Sequence, residues 1–209
     1  MTAQTTRRYA FSFITGALFV PETVAVSELL AAGKNWTVIR SAVLEDNLLR
    51  IKTSGSRLRI LREIRYRLQE FDHAELDFFC AAGPRDQRLM LLLSACRRFA
   101  FIREFVEEVV RAKALALDTH LTPGDFVRFF DLKGAEAPEV DALTEKSRDK
   151  VRQVLIRMLA EGGLLNSTSE MGIQRPSPSS GLITLVSKKT PSELKVFLLS
   201  DAEIRHNRF

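Results

Sequence analysis

Apolar residues recur at helical spacing through the first half of the chain. The clearest stretch carries Leu58, Leu61, Ile64, Leu68 and Phe71. This spacing of three or four positions puts them on one face of a helix. Asn35 and Asp72 precede apolar stretches as helix N-caps do, and Asp72 forms a capping-box pattern with Glu75. Because nothing here alternates as a strand does, residues 1–118 are predicted to form a helical domain.

The helical pattern between residues 85 and 117 fits either one long helix or two helices that break near residues 95–98. After residue 118 the pattern changes. Thr122 and Thr144 each precede a further helical stretch, and the segments 182–186 and 194–199 are rich in β-branched and aliphatic residues. The order of helix, helix and two-stranded ribbon predicts a winged helix-turn-helix domain over residues 119–209.

The composition favours a globular, non-membrane protein. The chain has 209 residues, 45% of them hydrophobic, with 31 basic and 26 acidic side chains and a formal net charge of +5. No apolar stretch approaches the about 20 residues of a membrane-spanning helix, so no membrane contact is expected. Arg7 and Arg8 precede a short apolar segment without a cleavage pattern, which favours a cytoplasmic protein over a secreted one.

Chemical motifs are scarce in the sequence. Cys80 and Cys96 lack C-x-x-C spacing, and the three histidines are scattered, so neither a metal nor a cofactor is predicted. The sequence has no phosphate-binding glycine loop and no H-E-x-x-H or G-x-S-x-G pattern. Ser147 and Lys150 match S-x-x-K without its companion motifs. These observations predict a protein that is not an enzyme.

A cationic helix face is the strongest functional candidate. Lys146, Lys150, Gln153 and Arg157 follow i, i+4, i+7, i+11 spacing on the side away from the apolar stripe. Basic side chains with a glutamine suit a helix in the major groove of double-stranded DNA. An ordinary solvated face remains the alternative, because Glu145 and Asp149 lie beside it.

Two further basic sets extend this candidate site. Lys188 and Lys189 are predicted at the tip of the ribbon, where a wing would meet the DNA backbone. Arg59 and Arg62 belong to an arginine-rich helix and are predicted as auxiliary backbone contacts. The alternative for that helix is that its arginines extend over the edge of the core or pair with acidic helices. If about six phosphates are neutralised, the logarithm of affinity should fall with the logarithm of salt at a slope of roughly −5.

Two other functions stay open at this point. The chain could be an RNA-binding module of the antitermination type, which would prefer single-stranded or structured RNA. It could instead be a protein–protein adaptor, with Phe126, Phe129 and Phe130 docking onto other proteins. The modest net charge of +5 keeps this adaptor hypothesis open.

Several blocks of the sequence resemble the BrxA family of the BREX bacteriophage-exclusion defence systems. The blocks comprise Phe11, Ser12, Phe13, Thr15, Gly16, Leu18, Trp36, Val43, Asn47, Leu48, Leu49, Ser56, Arg59, Leu61, Arg62, Glu63, Arg67, Lys150, Val151, Leu155, Leu159, Gly162, Gly163 and Leu164. The resemblance implies a cytoplasmic, DNA-binding and non-enzymatic component of phage defence, with a helical part like that of the antitermination factor NusB. Other BREX proteins are then candidate partners, and the oligomeric state is open.

Overall fold

The computed structural model describes residues 9–207, and helices make up most of this part. The α-helices are α1 (Val20–Ala31), α2 (Trp36–Leu44), α3 (Ser54–Leu68), α4 (His73–Ala81), α5 (Pro84–Arg98), α6 (Ala100–Glu104), α7 (Arg111–Leu115), α8 (Pro123–Glu136), α9 (Pro138–Asp141), α10 (Glu145–Glu161), α11 (Ser180–Lys189) and α12 (Asp201–His206). Two 3-10 helices, Ser12–Thr15 and Pro191–Phe197, and a π-helical segment, Phe105–Val110, complete the helices of this part. The prediction of a mainly α fold is confirmed. Arg7 and Arg8 lie outside the described residues.

The helices begin where the capping residues predict. Asn35 Oδ1 accepts two backbone N–H groups at the start of α2, both at 3.0 Å. Asp72 and Glu75 form the predicted capping box at α4, in which each side chain accepts the backbone N–H of the other residue. Thr122 and Thr144 precede α8 and α10. The Asn35, Asp72 and Thr144 side chains accept N–H groups that the first turn of a helix leaves without partners, whereas at α8 the Asp125 carboxylate accepts the Thr122 N–H and hydroxyl.

The long helical stretch breaks once, at Phe99. This residue has extended backbone angles and separates α5 from α6. From α6 the chain continues through the π-helical segment into α7 without a further break. The wider π turn keeps Phe105, Val106 and Val110 all buried.

A cluster of phenylalanine rings crosses residue 118, where the sequence predicts a domain boundary. Phe101 lies 5.1 Å from Phe129 and 5.2 Å from Phe130 between ring centroids, and Phe105 stacks on Phe126 at 4.8 Å. Phe126, Phe129 and Phe130 are only 2%, 3% and 4% exposed. The prediction that these three rings dock onto another protein is therefore wrong, because they fill the core of this chain.

The prediction of a two-stranded ribbon formed by residues 182–186 and 194–199 is also wrong. Residues 182–186 lie in α11, and most of 194–199 lies in the 3-10 helix Pro191–Phe197. Ser179 caps α11 by accepting the Leu182 N–H at 3.2 Å, and Leu182 and Val186 are buried one helical turn apart. Burial on one helix face thus outweighs the β-propensity of these residues. Lys188 and Lys189 consequently occupy the last turn of α11 and not the tip of a ribbon.

Strand-like pairing occurs elsewhere, among the segments 119–121, 164–166 and 171–174. Backbone hydrogen bonds of 2.7 to 3.0 Å join the last of these segments to each of the other two. The antiparallel bridges pair His120 with Gly172 and Leu165 with Ile173. The segment 171–174 therefore lies between the other two, and together with the segment 164–166 it forms a short hairpin that follows α10.

Arg97 joins the C-terminal helices to the N-terminal ones. All five of its N–H donors have an acceptor. Nη1 and Nη2 contact the Glu75 carboxylate at 3.0 and 2.5 Å, Nε and Nη2 contact that of Glu193 at 3.0 and 2.8 Å, and Nη1 reaches the Glu70 carbonyl at 2.9 Å. The bidentate geometry on both carboxylates is one that a guanidinium group satisfies well.

Lys189 completes this network, which we call the Arg97 clamp: Arg97, Glu75, Glu193, Lys189 and Asp72. Its Nζ lies 3.0 Å from Asp72 Oδ2 and 3.1 Å from Glu75 Oε2. Burial alone would raise the pKa of Glu75, but hydrogen bonds from Arg97, the Asp72 backbone and Lys189 outweigh burial and leave the pKa below its ordinary value. The clamp thus holds a buried charged carboxylate where α4, α5, α11 and the 3-10 helix 191–197 meet.

Candidate nucleic-acid interface

The helix α10 separates apolar from charged side chains along its length. Its buried residues are Val151, Val154, Leu155, Met158 and Leu159. It begins after Thr144, whose Oγ1 accepts the Ser147 N–H at 3.2 Å, and ends before Gly163, which has a φ of +81°. A positive φ is a conformation that glycine adopts without strain, so it ends the helix here.

The four residues predicted to read DNA share the exposed side of α10. Lys146, Lys150, Gln153 and Arg157 are all exposed. Within residues 9–207, neither Lys146 nor Lys150 has a side-chain hydrogen bond or an ion pair. The Arg157 side chain is 65% exposed and lies 3.9 Å from the Glu161 carboxylate. The structure thus brings the predicted set together, while its role in binding stays a prediction.

The other two arginines of α10 have partners inside the molecule. Arg148 lies 3.5 Å from Asp131 on α8, with its guanidinium group over the Phe130 ring at 5.9 Å. Arg152 contacts Asp149 at 2.9 Å. Asp149 was expected to dilute the cationic face, but its nearest cation is Arg152 and not one of the two lysines. Lys146 and Lys150 therefore keep their charges free of ion pairs within residues 9–207, although Glu145 is exposed on the same helix as the alternative of a solvated face expects.

A tight polar turn follows α10, within residues 166–171. Asn166 Oδ1 accepts the N–H groups of Ser167 at 2.7 Å and Gly172 at 2.9 Å, which closes the turn. Glu170 is its charged residue, and the turn has no lysine or arginine. Sequence reasoning missed this hairpin because its paired segments are only three or four residues long. The signal that was present is Asn166 itself, a residue type that favours turns.

Outside α10 the predicted basic residues have different environments. Arg59 and Arg62 are exposed on α3 and lack an ion pair in the part of the chain that the structure describes. Lys188 is exposed, whereas Lys189 belongs to the Arg97 clamp. The predicted wing contact of Lys188 and Lys189 is wrong in its placement, because the chain is helical there.

Two neighbours of Arg59 and Arg62 on α3 support the structural alternative for that helix. Arg67 is buried and donates to the Ala17 carbonyl at 2.6 Å, and burial lowers its pKa to about 10. Arg57 donates to the carbonyls of Leu44 at 2.5 Å and Ile51 at 2.8 Å. One side of α3 therefore fixes neighbouring loops, and the other side presents free cations.

The described residues show neither a membrane helix nor a metal centre. In the range 9–207, no helix combines the length and the apolar character that crossing a bilayer requires. The same range holds no group of three or more His, Cys, Asp or Glu side chains arranged to bind a metal ion.

The fold and the surface together define a helical protein that presents one long basic helix. A sequence profile of the BrxA family matches residues 7–190, which is most of the chain. The chain therefore belongs to the BrxA family.

Individual relatives agree with this assignment. The chain is 26% identical to the BREX protein BrxA of Bacillus cereus (strain H3081.97) over 156 residues, 74% of this chain and 78% of that protein. It is 20% identical to the BREX protein BrxA of Escherichia coli O9:H4 (strain HS) over 159 residues, 76% of this chain and 75% of that one. The crystal structure of an uncharacterized protein from Magnetospirillum magneticum has the same fold, with a TM-score of 0.75 at 15% identity, over 92% of this chain and 98% of that one.

Proposed function

We propose that this chain is a non-enzymatic, DNA-binding component of a BREX phage-defence system. Family membership and the names of the two BREX relatives support the placement in phage defence. The observation that carries DNA binding is the exposed side of α10, where Lys146 and Lys150 have no partner within residues 9–207. Two unpaired ammonium groups one turn apart suit the phosphates that flank a groove.

We assign α8, α9, α10 and the three bridged segments to a winged helix-turn-helix. The order supports this assignment: a helix, a short helix with a turn, a second helix, and then an antiparallel hairpin. In this assignment α10 is the recognition helix, and the turn within residues 166–171 is the wing. Because this turn carries Glu170 and no cation, it contributes hydroxyl and amide contacts and not phosphate neutralisation.

The expected electrostatics follow from the cations that remain available. Lys146, Lys150 and Arg157 lie on α10, and Arg59 and Arg62 are retained as auxiliary backbone contacts on α3. These five cations contribute about −4.5 to the slope of log affinity against log salt. Arg59→Ala with Arg62→Ala should make that slope less steep by about 2.

The test is a salt titration of labelled random duplex DNA, measured by fluorescence anisotropy. Lys146→Glu with Lys150→Glu should lower the affinity at least tenfold and flatten the slope. The matched control is Lys34→Glu with Lys188→Glu, which reverses two exposed lysines outside α10 and should bind like the wild type. Circular dichroism checks that each variant is folded. Arg157 is left unchanged because a glutamate there would repel Glu161.

Two results would refute the proposal. The first is equal loss of affinity in the α10 variant and in the control, since binding would then follow net charge and not a face. The second is wild-type binding that does not respond to salt. An RNA hairpin and a single-stranded RNA are added as competitors, and either one displacing the duplex more effectively than unlabelled duplex would favour the antitermination-type alternative.

A further inference from the structure

A cleft opens where the start of α5 meets the end of α10. Its volume is about 360 Å³. Three structural parts form its walls: the first turns of α5, the Gly162–Gly163 turn, and residues 174–177 that follow the proposed wing. The cleft therefore lies at the seam between the helices before residue 118 and the proposed winged helix.

Three arginines line this cleft: Arg85 and Arg88 from α5, and Arg175 from the opposite wall. None of the lining residues is acidic. The Arg175 guanidinium group pairs with Glu203, and Arg85 Nη1 has only a 3.4 Å contact with the Ser177 carbonyl. Arg88 is exposed and has neither a hydrogen bond nor an ion pair among the described side chains. Two guanidinium groups thus keep most of their donors free.

The position of Arg85 is unfavourable for the stability of α5. Arg85 lies in the first turn, where the partial positive charge of the helix N-terminus repels cations, and Arg88 follows in the next turn. Asp86 is the acidic residue of that turn. Its Oδ1 accepts the Ser179 N–H at 3.1 Å, and it forms no ion pair with Arg85 or Arg88. Arg85 has only the Ser177 carbonyl as a partner and Arg88 has none among the described side chains, so both guanidinium groups are available to a ligand anion.

Arg88 also connects this cleft to the basic face of α10. Arg88 and Arg157 line a second, larger cleft of about 1020 Å³ between α1, α5 and α10. Glu22, Glu28 and Glu161 line that larger cleft as well, so its interior repels anions. Because Arg88 lines both clefts, it links Arg157 in the larger cleft to Arg85 in the smaller one, and these three arginines mark the course of a phosphate chain.

We propose that Arg85, Arg88 and Arg175 form a second DNA-backbone contact, which extends the footprint of the duplex past the end of α10. This inference rests on the proposed DNA-binding function, because it takes α10 as the first contact. Arg85 and Arg88 supply the free charges, and Arg175, shared with Glu203, closes the opposite wall. The added contacts are to phosphates and carry no base specificity.

The experiment compares Arg85→Ala with Arg88→Ala against the wild type, in the same duplex titration. The double variant should bind on the order of tenfold more weakly near 0.1 M salt, with a slope less steep by about 2. Lys34→Ala with Lys188→Ala is the matched control for the loss of two charges. Arg85→Lys with Arg88→Lys keeps the charges and should restore the slope. Alanine favours helix formation, and circular dichroism checks the fold.

The outcomes separate this inference from the proposed function. If the α10 variant loses binding while the alanine variant at the cleft matches its control, the second contact is refuted and the role of α10 stands. If the cleft variant loses binding and the α10 variant does not, the α10 role is refuted, and with it the inference of a footprint that extends from α10, although the cleft arginines bind DNA. If the wild type binds no duplex at any salt concentration, both are refuted.

Discussion

Replacing Arg97 tests the energetic role of the Arg97 clamp. Its side chain is 11% exposed and that of Glu75 is 2% exposed, so little water can replace the guanidinium group. Arg97→Ala leaves the Glu75 carboxylate with Lys189 and the Asp72 backbone as its remaining partners. Removing one member of a buried ion pair typically costs about 3–5 kcal/mol. We expect Arg97→Ala to lower the free energy of unfolding by an amount in that range.

Arg97→Lys separates the geometry of the guanidinium group from its charge. An ammonium group has three donors, so at least two of the five hydrogen bonds are lost. Hydrogen bonds to charged groups are worth about 1.5–3 kcal/mol each, but the lysine keeps a positive charge beside both carboxylates, so a net loss of about 2 kcal/mol is expected. Arg62→Ala, an exposed site on α3, is the control and should change stability by less than about 0.5 kcal/mol.

Urea unfolding, followed by circular dichroism, measures these differences as shifts in the transition midpoint at constant slope. The order of stability should be wild type, then Arg97→Lys, then Arg97→Ala. An alanine variant within about 1 kcal/mol of the wild type would show that the clamp contributes no more than a surface ion pair, and the reasoning would be wrong.

Two further predictions concern pH and thiol chemistry. Because the pKa of Glu75 is below its ordinary value of 4.5 in the folded chain, its contribution is complete above about pH 4.5 and is lost as pH falls through the folded pKa. Glu75→Gln should therefore lose less stability than the wild type between pH 5 and 3 in urea titrations, and equal losses would contradict this. Burial raises the pKa of the Cys96 thiol well above its usual range, so a thiol reagent at pH 8 should label Cys96 only after unfolding. Half-buried Cys80 should be labelled first, as mass spectrometry of the intact and digested chain would show, and early labelling of Cys96 would contradict the buried position.

Helix starts were predictable from sequence because their signals are local. An Asn or Thr side chain needs only its own next turn to cap a helix, so Asn35 and Thr144 can be identified without tertiary information. The face of α10 was predictable for a similar reason, since the spacing of Lys146, Lys150 and Arg157 fixes their common side on a helix. Local pattern was sufficient in each of these cases.

The segment after residue 180 was not predictable in this way. Leu182 and Val186 satisfy both a strand and a helix pattern in so short a run, and burial against the rest of the chain selects the helix. The partners of Arg97 also stayed hidden, because Glu193 is 96 positions away and nothing local marks it. The cleft arginines were missed because Arg175 faces Arg85 and Arg88 only after folding.

The Arg97 clamp can form only after both of its halves have been translated. Glu75 reaches Arg97 across 22 positions, but it reaches Lys189 across 114. On the ribosome the N-terminal helices therefore leave the exit tunnel with Arg97 in place but without Glu193, which accepts two of its five hydrogen bonds. Full stability depends on Lys189 and Glu193, which are translated after the proposed DNA-binding helix. A nascent chain stalled before residue 189 would present α10 while the helical core still lacks the contacts of Lys189 and Glu193.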